Sequence, residues 1–169
     1  KVERKKFVPE SLENLAYEDE ALPLEAGATI SQPYTIAFML DLLELKKNMI
    51  ILEIGSGSGY VLALLNEITK GEIFGIEIIR SLSKKAKRIL ARYRNIEIFC
   101  GDGSLGLKEK APFDRILISA ASDKNPEHLY SQLKKEGIIV VPVKNSIFQI
   151  KKKDDKIEKK EFPGFAFVP

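Results

Sequence analysis

The chain contains one cysteine and one histidine among 169 residues. A single thiol, Cys100, excludes an intrachain disulfide and suits a reducing compartment, so a cytoplasmic setting is expected. The lone His128 follows Pro126 in a first helical turn and reads as a surface residue rather than a ligand. Clusters of His, Cys, Asp and Glu at ligand spacing are missing, so no metal is expected. Every apolar run is too short to span a bilayer, and no signal-peptide pattern is present, so no membrane partner is expected. A dominant charge sign is lacking as well: 27 Lys and Arg face 24 Asp and Glu, for a net charge of +3. That mixture demands neither nucleic acid nor an anionic surface as partner. Internal repeats and low-complexity linkers are absent. The length suits one domain with a sizeable core, expected to act as a monomer. The first residue is Lys1 rather than methionine, and a natural start upstream of it is expected.

What the chain does have is the run LEIGSGSGY at residues 52–60. An apolar stretch leads into Glu53, then glycines alternate at Gly55, Gly57 and Gly59, and a second apolar stretch follows. The pattern reads as strand, tight turn, helix. Glycine allows close backbone approach to a ligand, and the following helix start offers N–H groups and partial positive charge. Such a turn can also serve only to pack a helix closely on a strand. Its spacing narrows the ligand. A dinucleotide fingerprint places its third Gly or Ala where Tyr60 stands, and a P-loop needs Gly-Lys-Ser/Thr, which is missing. The remaining pattern, E-x-G-x-G-x-G, resembles the first motif of S-adenosylmethionine-dependent methyltransferases. Glu77 ends the next apolar run, where a carboxylate can accept from both hydroxyls of a ribose.

Apolar and helical segments alternate along the rest of the chain. A helix is expected from Ser31, as N-cap, with Pro33 in its first turn, to about Lys46. Strands are expected at 49–54, 72–77, 96–100, 113–119 and 138–143. Helices are expected at 59–69, at 81–93, and from Asn125-Pro126 to Gly137. Residues 10–20 read as acidic and irregular. The tail reads as an antiparallel hairpin, 146–152 with 156–162, and a short strand at 165–168. Together these give an α/β fold: a doubly wound, mostly parallel seven-stranded sheet with an antiparallel C-terminal hairpin and helices on both faces. Glu53 to Gly59, Glu77, the loop at 101–103 and residues 119–121 all fall at carboxyl ends of strands, where such sheets bind ligands. Asp102 in that loop reads as a ligand residue or as an Asp-Gly turn residue. Cys100 is expected to be a small buried residue. The helix at 81–94 carries Lys84, Lys85, Lys87, Arg88, Arg92 and Arg94 opposite an apolar stripe, which reads as a solvated basic face in preference to an RNA footprint.

Upstream of the first strand stands Thr29, Ile30, Ser31, Gln32, Pro33. Here the chain resembles the protein-L-isoaspartate O-methyltransferase family. The resemblance continues through KKFVPE at 5–10, AYEDEALPL at 16–24, the glycine run, GDGSLG at 101–106, APFDRILISAA at 111–121, QLKKEGIIVVPV at 132–143 and the final FVP. It implies the Rossmann-like fold of class I S-adenosylmethionine-dependent methyltransferases, as a single domain over residues 1–169, with 1–32 as a substrate-facing segment. The family's helical portion upstream of KKFVPE is absent from this sequence.

The implied reaction transfers a methyl group from S-adenosylmethionine to the free α-carboxylate of an L-isoaspartyl residue, leaving S-adenosylhomocysteine and starting repair through a succinimide. That carboxylate, with a reference pKa of roughly 3.5, is ionised at neutral pH and needs no general base. The resemblance assigns Ser31 as the active-site residue. It gives Thr29, Ile30, Ser31, Glu53, Gly55, Gly57, Gly59, Glu77, Asp102 and Gly103 to the cofactor, and Ile30, Ser31, Ala120, Ala121 and Val168 to the substrate. Two places depart from the family pattern: Glu25, where glycine is usual, and Ser122-Asp123, where Ala-Pro is usual. They leave as alternatives a related methyltransferase acting on another peptide carboxylate or tRNA, or a non-catalytic cofactor- or peptide-binding module.

Overall fold

The computed structural model describes residues 1–154 and 156–166. Its main sheet has seven strands. β3 (Ile51–Ile54), β4 (Ile73–Glu77), β5 (Ile96–Cys100), β6 (Phe113–Ile118) and β7 (Leu133–Val143) are parallel, in the order β5-β4-β3-β6-β7. β8 (Ser146–Lys153) and β9 (Lys156–Pro163) extend the sheet beyond β7 as an antiparallel meander. A two-residue ladder, β1 (Leu22–Pro23) with β2 (Thr29–Ile30), stands apart from it. β4 is buried at every position because both faces of the parallel sheet are covered.

The cover differs between the faces. Helices α1 (Pro33–Leu42), α2 (Tyr60–Thr69) and α3 (Arg80–Ile89) share one core with Ile51, Ile73, Ile98, Leu117, Val140 and Ile147. The opposite core, around Leu52, Phe74, Ile116, Ile139 and Ile150, is closed by the short 3-10 turns Lys108–Lys110 and Glu127–Gln132 and their flanks, through Leu107 and Leu129. On α3, Leu82 and Ala86 are buried, as is Leu90 just beyond its end, while Arg80, Lys84, Lys87 and Arg88 are exposed. Spacing of four residues produces that division, and the basic face is solvated.

Several places differ from the sequence reading. The stretch after Pro126 forms one 3-10 turn, and β7 begins at Leu133. Gln132 turns its buried amide to the 101–107 loop, donating to the Leu105 carbonyl at 2.7 Å and accepting from Leu107 N–H at 2.8 Å. Gly137 marks a bulge in β7 and not a helix end: the register with β6 jumps between Phe113 and Arg115, with Glu136 at φ 60°. α1 stops at Leu42, where buried side chains take its last carbonyls. Gln149 donates to Leu42 O at 2.5 Å, and Arg115 donates to Leu43 O and, at 3.1 Å, to Glu44 O. Residues 10–15, read as irregular, form the 3-10 helix Glu10–Leu15. Cys100 is exposed and not buried, because it closes a strand at the sheet's edge. Phe165 and Ala166 lie outside any strand, and the remainder of the expected strand at 165–168 falls outside the described residues.

Candidate functional site

β3 lies between β4 and β6, so strand order reverses at its carboxyl end. Loops leave in opposite directions there and open a crevice. Three adjoining cavities of about 50, 420 and 470 Å³ occupy it, and Gly55 lines all three. Residues far apart in sequence meet on this rim. Thr29, Ile30, Ser31, Glu53 and Gly57 line the smallest cavity, and Glu77 the second. Asp102, Gly103, Ala120 and Ala121 line the third. Val168 lies outside the described residues.

The glycine turn is built by left-handed backbone. Gly55 has φ +79°, and a Cβ there would come within 3.1 Å of the Ala120 side chain. Gly59 has φ +83° but lines none of these cavities. A Cβ on it would meet Leu90 at 2.8 Å, so it serves the packing of α2 on α3. The loop's amides turn inward: Gly55 N–H and Ser56 N–H donate to Ile76 O at 2.9 and 3.0 Å, and Gly59 N–H to Ser56 O at 2.8 Å. Gly57 N–H donates to Glu77 Oε2 at 2.7 Å. These four amides are therefore unavailable as an anion cradle; the N–H groups expected at the start of α2, on Tyr60, Val61 and Leu62, are not among them.

Carboxyl groups dominate the crevice. Glu77 is only 5% exposed; besides Gly57 N–H it accepts Ile79 N–H on Oε1 at 2.8 Å. Each of its oxygens retains a lone pair for a further donor. Glu53, at 1% exposure, accepts the Ser119 hydroxyl on Oε1 at 2.7 Å, while Oε2 has no partner. Burial pushes its pKa up to about 8; the Ser119 bond opposes this and the nearby Glu77 charge adds to it. Asp102 is exposed and accepts Ser104 N–H at 2.8 Å, a bond that holds its carboxyl below the usual range. It is thus a turn residue and a cavity residue at once. A pyrophosphate would meet the Glu77 carboxylate, with the Gly55, Ser56, Gly57 and Gly59 amides already taken. A cationic ligand bearing a diol would meet acceptors at every turn, and S-adenosylmethionine fits that description.

The opposite wall is the segment at 29–32. Leu22 pairs with Ile30 and Pro23 with Thr29, across a tip where Ala26 and Gly27 adopt φ 54° and 79°. Glu25 stands exposed on that tip. Ser31 is not the cap of α1. Gln32 occupies that position without a side-chain bond, and Asp19 supplies the missing acceptor, taking Tyr34 N–H at 2.8 Å. Ser31 therefore keeps its hydroxyl for the crevice. Its carbonyl accepts from the Arg4 guanidinium at 2.9 Å.

Several contributors escaped the sequence reading. Arg4 and Asp19 look like ordinary surface charges, and only their tertiary partners reveal them. Gln132 and the exposed His128, whose Nε2 bonds Ser104 O at 2.7 Å, steady the 101–107 loop from the other side of the third cavity. Ser119 was visible only as a strand end, yet it is the partner of Glu53.

A parallel sheet of this order, with a glycine turn and carboxylates at its switch point, is the fold of the class I S-adenosylmethionine-dependent methyltransferases. A solved Plasmodium falciparum structure in complex with S-adenosyl-L-homocysteine superposes with a TM-score of 0.84 at 24% identity, over 99% of this chain and 85% of that one. The family model for protein-L-isoaspartate(D-aspartate) O-methyltransferase matches residues 1–169, and the chain belongs to that family. The Dictyoglomus thermophilum protein-L-isoaspartate O-methyltransferase is 45% identical over 175 residues, covering 100% of this chain and 79% of the relative. A solved protein-L-isoaspartate O-methyltransferase superposes with a TM-score of 0.89 at 32% identity, over 98% of this chain. The chain spans 57% of that solved chain.

Proposed function

We propose that this chain transfers a methyl group from S-adenosylmethionine to the free α-carboxylate of L-isoaspartyl residues in damaged proteins and peptides, initiating their repair. The family match across residues 1–169 is the observation that carries this reading. The crevice supports it by chemistry: its acceptor-rich lining suits a cationic nucleoside. When bound, that cofactor supplies an electrophilic methyl group on a sulfonium centre.

In this reading Glu77 holds the ribose hydroxyls, with its carboxylate fixed by Gly57 and Ile79 N–H. Asp102 and Gly103 face the adenine. Glu53, Gly55, Gly57 and the segment Thr29, Ile30, Ser31 enclose the methionine end. Gly59 contributes through helix packing. Ile30, Ser31, Ala120 and Ala121 receive the substrate backbone, and Ser31 Oγ donates to the substrate carboxylate. Because the nucleophile is already an anion, alignment and exclusion of water carry the catalysis. The whole of residues 1–169 acts as one methyltransferase domain, with 1–32 as its substrate-facing part. No helix among the described residues is long and apolar enough to cross a membrane. A cytoplasmic monomer acting on isoaspartyl proteins, without nucleic acid or membrane, completes the reading; the single cysteine and the mixed charge support it.

The test is paired labelling. Methyl-labelled cofactor is offered with an isoaspartyl peptide and with its aspartyl isomer. Label in the isoaspartyl peptide alone is expected, and equal labelling of both would refute the assignment.

A further inference from the structure

Arg4 is the largest of the fully buried side chains, at 1% exposure. Nη2 donates to the Ser31 carbonyl at 2.9 Å, and the guanidinium lies over the Tyr60 ring at 5.3 Å. Phe7 packs on the same ring, centroid to centroid at 5.3 Å. Nε and Nη1 are buried without any hydrogen-bond partner. A desolvated cation with two unmet donors is a poor way to stabilise a core; an apolar side chain of similar length would fill the space without that penalty. The Asp19 charge favours the guanidinium but leaves both of these donors unmet, so stability alone is a weak account of an arginine here. What the guanidinium touches is a better one. Tyr60 opens α2 directly behind the glycine turn, and Ser31 belongs to the facing wall of the crevice.

We infer that Arg4 is a positioning residue, which holds the Ser31 carbonyl against Tyr60 and so sets the 29–32 segment at a fixed distance from the glycine turn. Its effect on methyl transfer rests on the function proposed above; its effect on the segment does not. Arg4 acts through Ser31 and touches no substrate.

The experiment replaces Arg4→Met in the full chain and reads amide hydrogen exchange, thermal midpoint, cofactor binding and peptide kinetics. Exchange at residues 29–32 is expected to accelerate about tenfold or more while β3 stays protected, because the change loosens one segment and not the fold. The thermal midpoint is expected to stay within about 4 °C of the parent. The kcat for isoaspartyl peptide should fall about 10- to 100-fold through lost alignment, with cofactor affinity within about threefold. Unchanged exchange at 29–32 overturns the inference. Uniformly faster exchange with a lowered midpoint also overturns it, since that is a purely structural role. If Arg4→Met does not fold, Arg4→Lys, which keeps a cation near Tyr60 but not the fork, carries the same exchange comparison. A parent chain that labels no isoaspartyl peptide would sink the proposed function, and the exchange result would still decide the role of Arg4.

Discussion

The two walls of the crevice are built by different means. The glycine wall is held mostly by short-range backbone geometry: positive φ at Gly55 and Gly57, amides closed on Ile76, and one carboxylate 20 residues downstream. The facing wall at 29–32 has a two-residue ladder of its own. It depends on isolated side chains from elsewhere, Arg4 for the Ser31 carbonyl and Asp19 for the helix that follows. The first wall is rigid because its own polypeptide leaves little choice. The second is placed by a few removable contacts, so the two should respond differently to substitution.

The largest expected effect is at the base of the glycine wall. Glu53 has a folded pKa raised from 4.5 to about 8, so its stabilising balance is fully present below pH 4.5 and is lost as pH rises to about 8. The loss is on the order of 5 kcal/mol, and Glu53→Gln should remove most of this slope in urea unfolding followed across that range. A slope that survives the substitution would place its origin elsewhere. Next comes Glu77→Leu, which strands the Gly57 and Ile79 amides. Calorimetric titration with S-adenosylhomocysteine should show affinity falling by about 100-fold or more, from the loss of charge-assisted bonds worth roughly 1.5–3 kcal/mol each. Retained affinity would mean that the carboxylate does not hold the ribose.

Across the crevice the effects shrink and change kind. Ser31→Ala removes one hydroxyl bond, about 1 kcal/mol, so isoaspartyl-peptide kcat/KM should drop about 5- to 10-fold with cofactor affinity unchanged. An equal loss of cofactor affinity would show that the Ser31 hydroxyl, and not only the enclosing 29–31 segment, binds the cofactor. The smallest effect is Asp19→Ala, which frees Tyr34 N–H at the start of α1. A stability loss of about 1 kcal/mol is expected in thermal unfolding, with little change in cofactor binding. A null result there would assign the capping of α1 to solvent.

Much of the site is legible in the order of residues alone. Periodicity locates the five parallel strands and the C-terminal hairpin, because strands buried on both faces are nearly continuous apolar runs. Glu53, Gly55, Glu77 and Asp102 are legible because each ends a strand or follows one, and such ends converge on one rim. The failures are equally specific. Ser31 stands where a helix cap belongs, but a cap is an acceptor in space, and Asp19 reaches that space from a separate turn. The stretch after Pro126 has helical composition, yet the buried amide of Gln132 binds the 101–107 loop, and the helix yields to a strand. Gly137 ends no helix because it lies in a bulge of β7, where a Cβ would come within 2.8 Å of the Lys134 carbonyl.

By itself, then, the sequence determined the strand-turn-helix at the glycine run, the alternation that makes a parallel sheet, and the family segment at 29–33. These are properties of neighbours in the chain, set by backbone freedom and side-chain period. Tertiary structure alone decided that β8 and β9 follow β7 in simple succession. It alone decided that the Gly55 and Gly57 amides close on Ile76 and Glu77 in place of an anion, and that a buried Arg4 touches both walls, at Ser31 and Tyr60. A hydrogen bond is a relation between atoms in space, and partners separated by 20 or 27 residues leave no periodic mark on the sequence that brings them together.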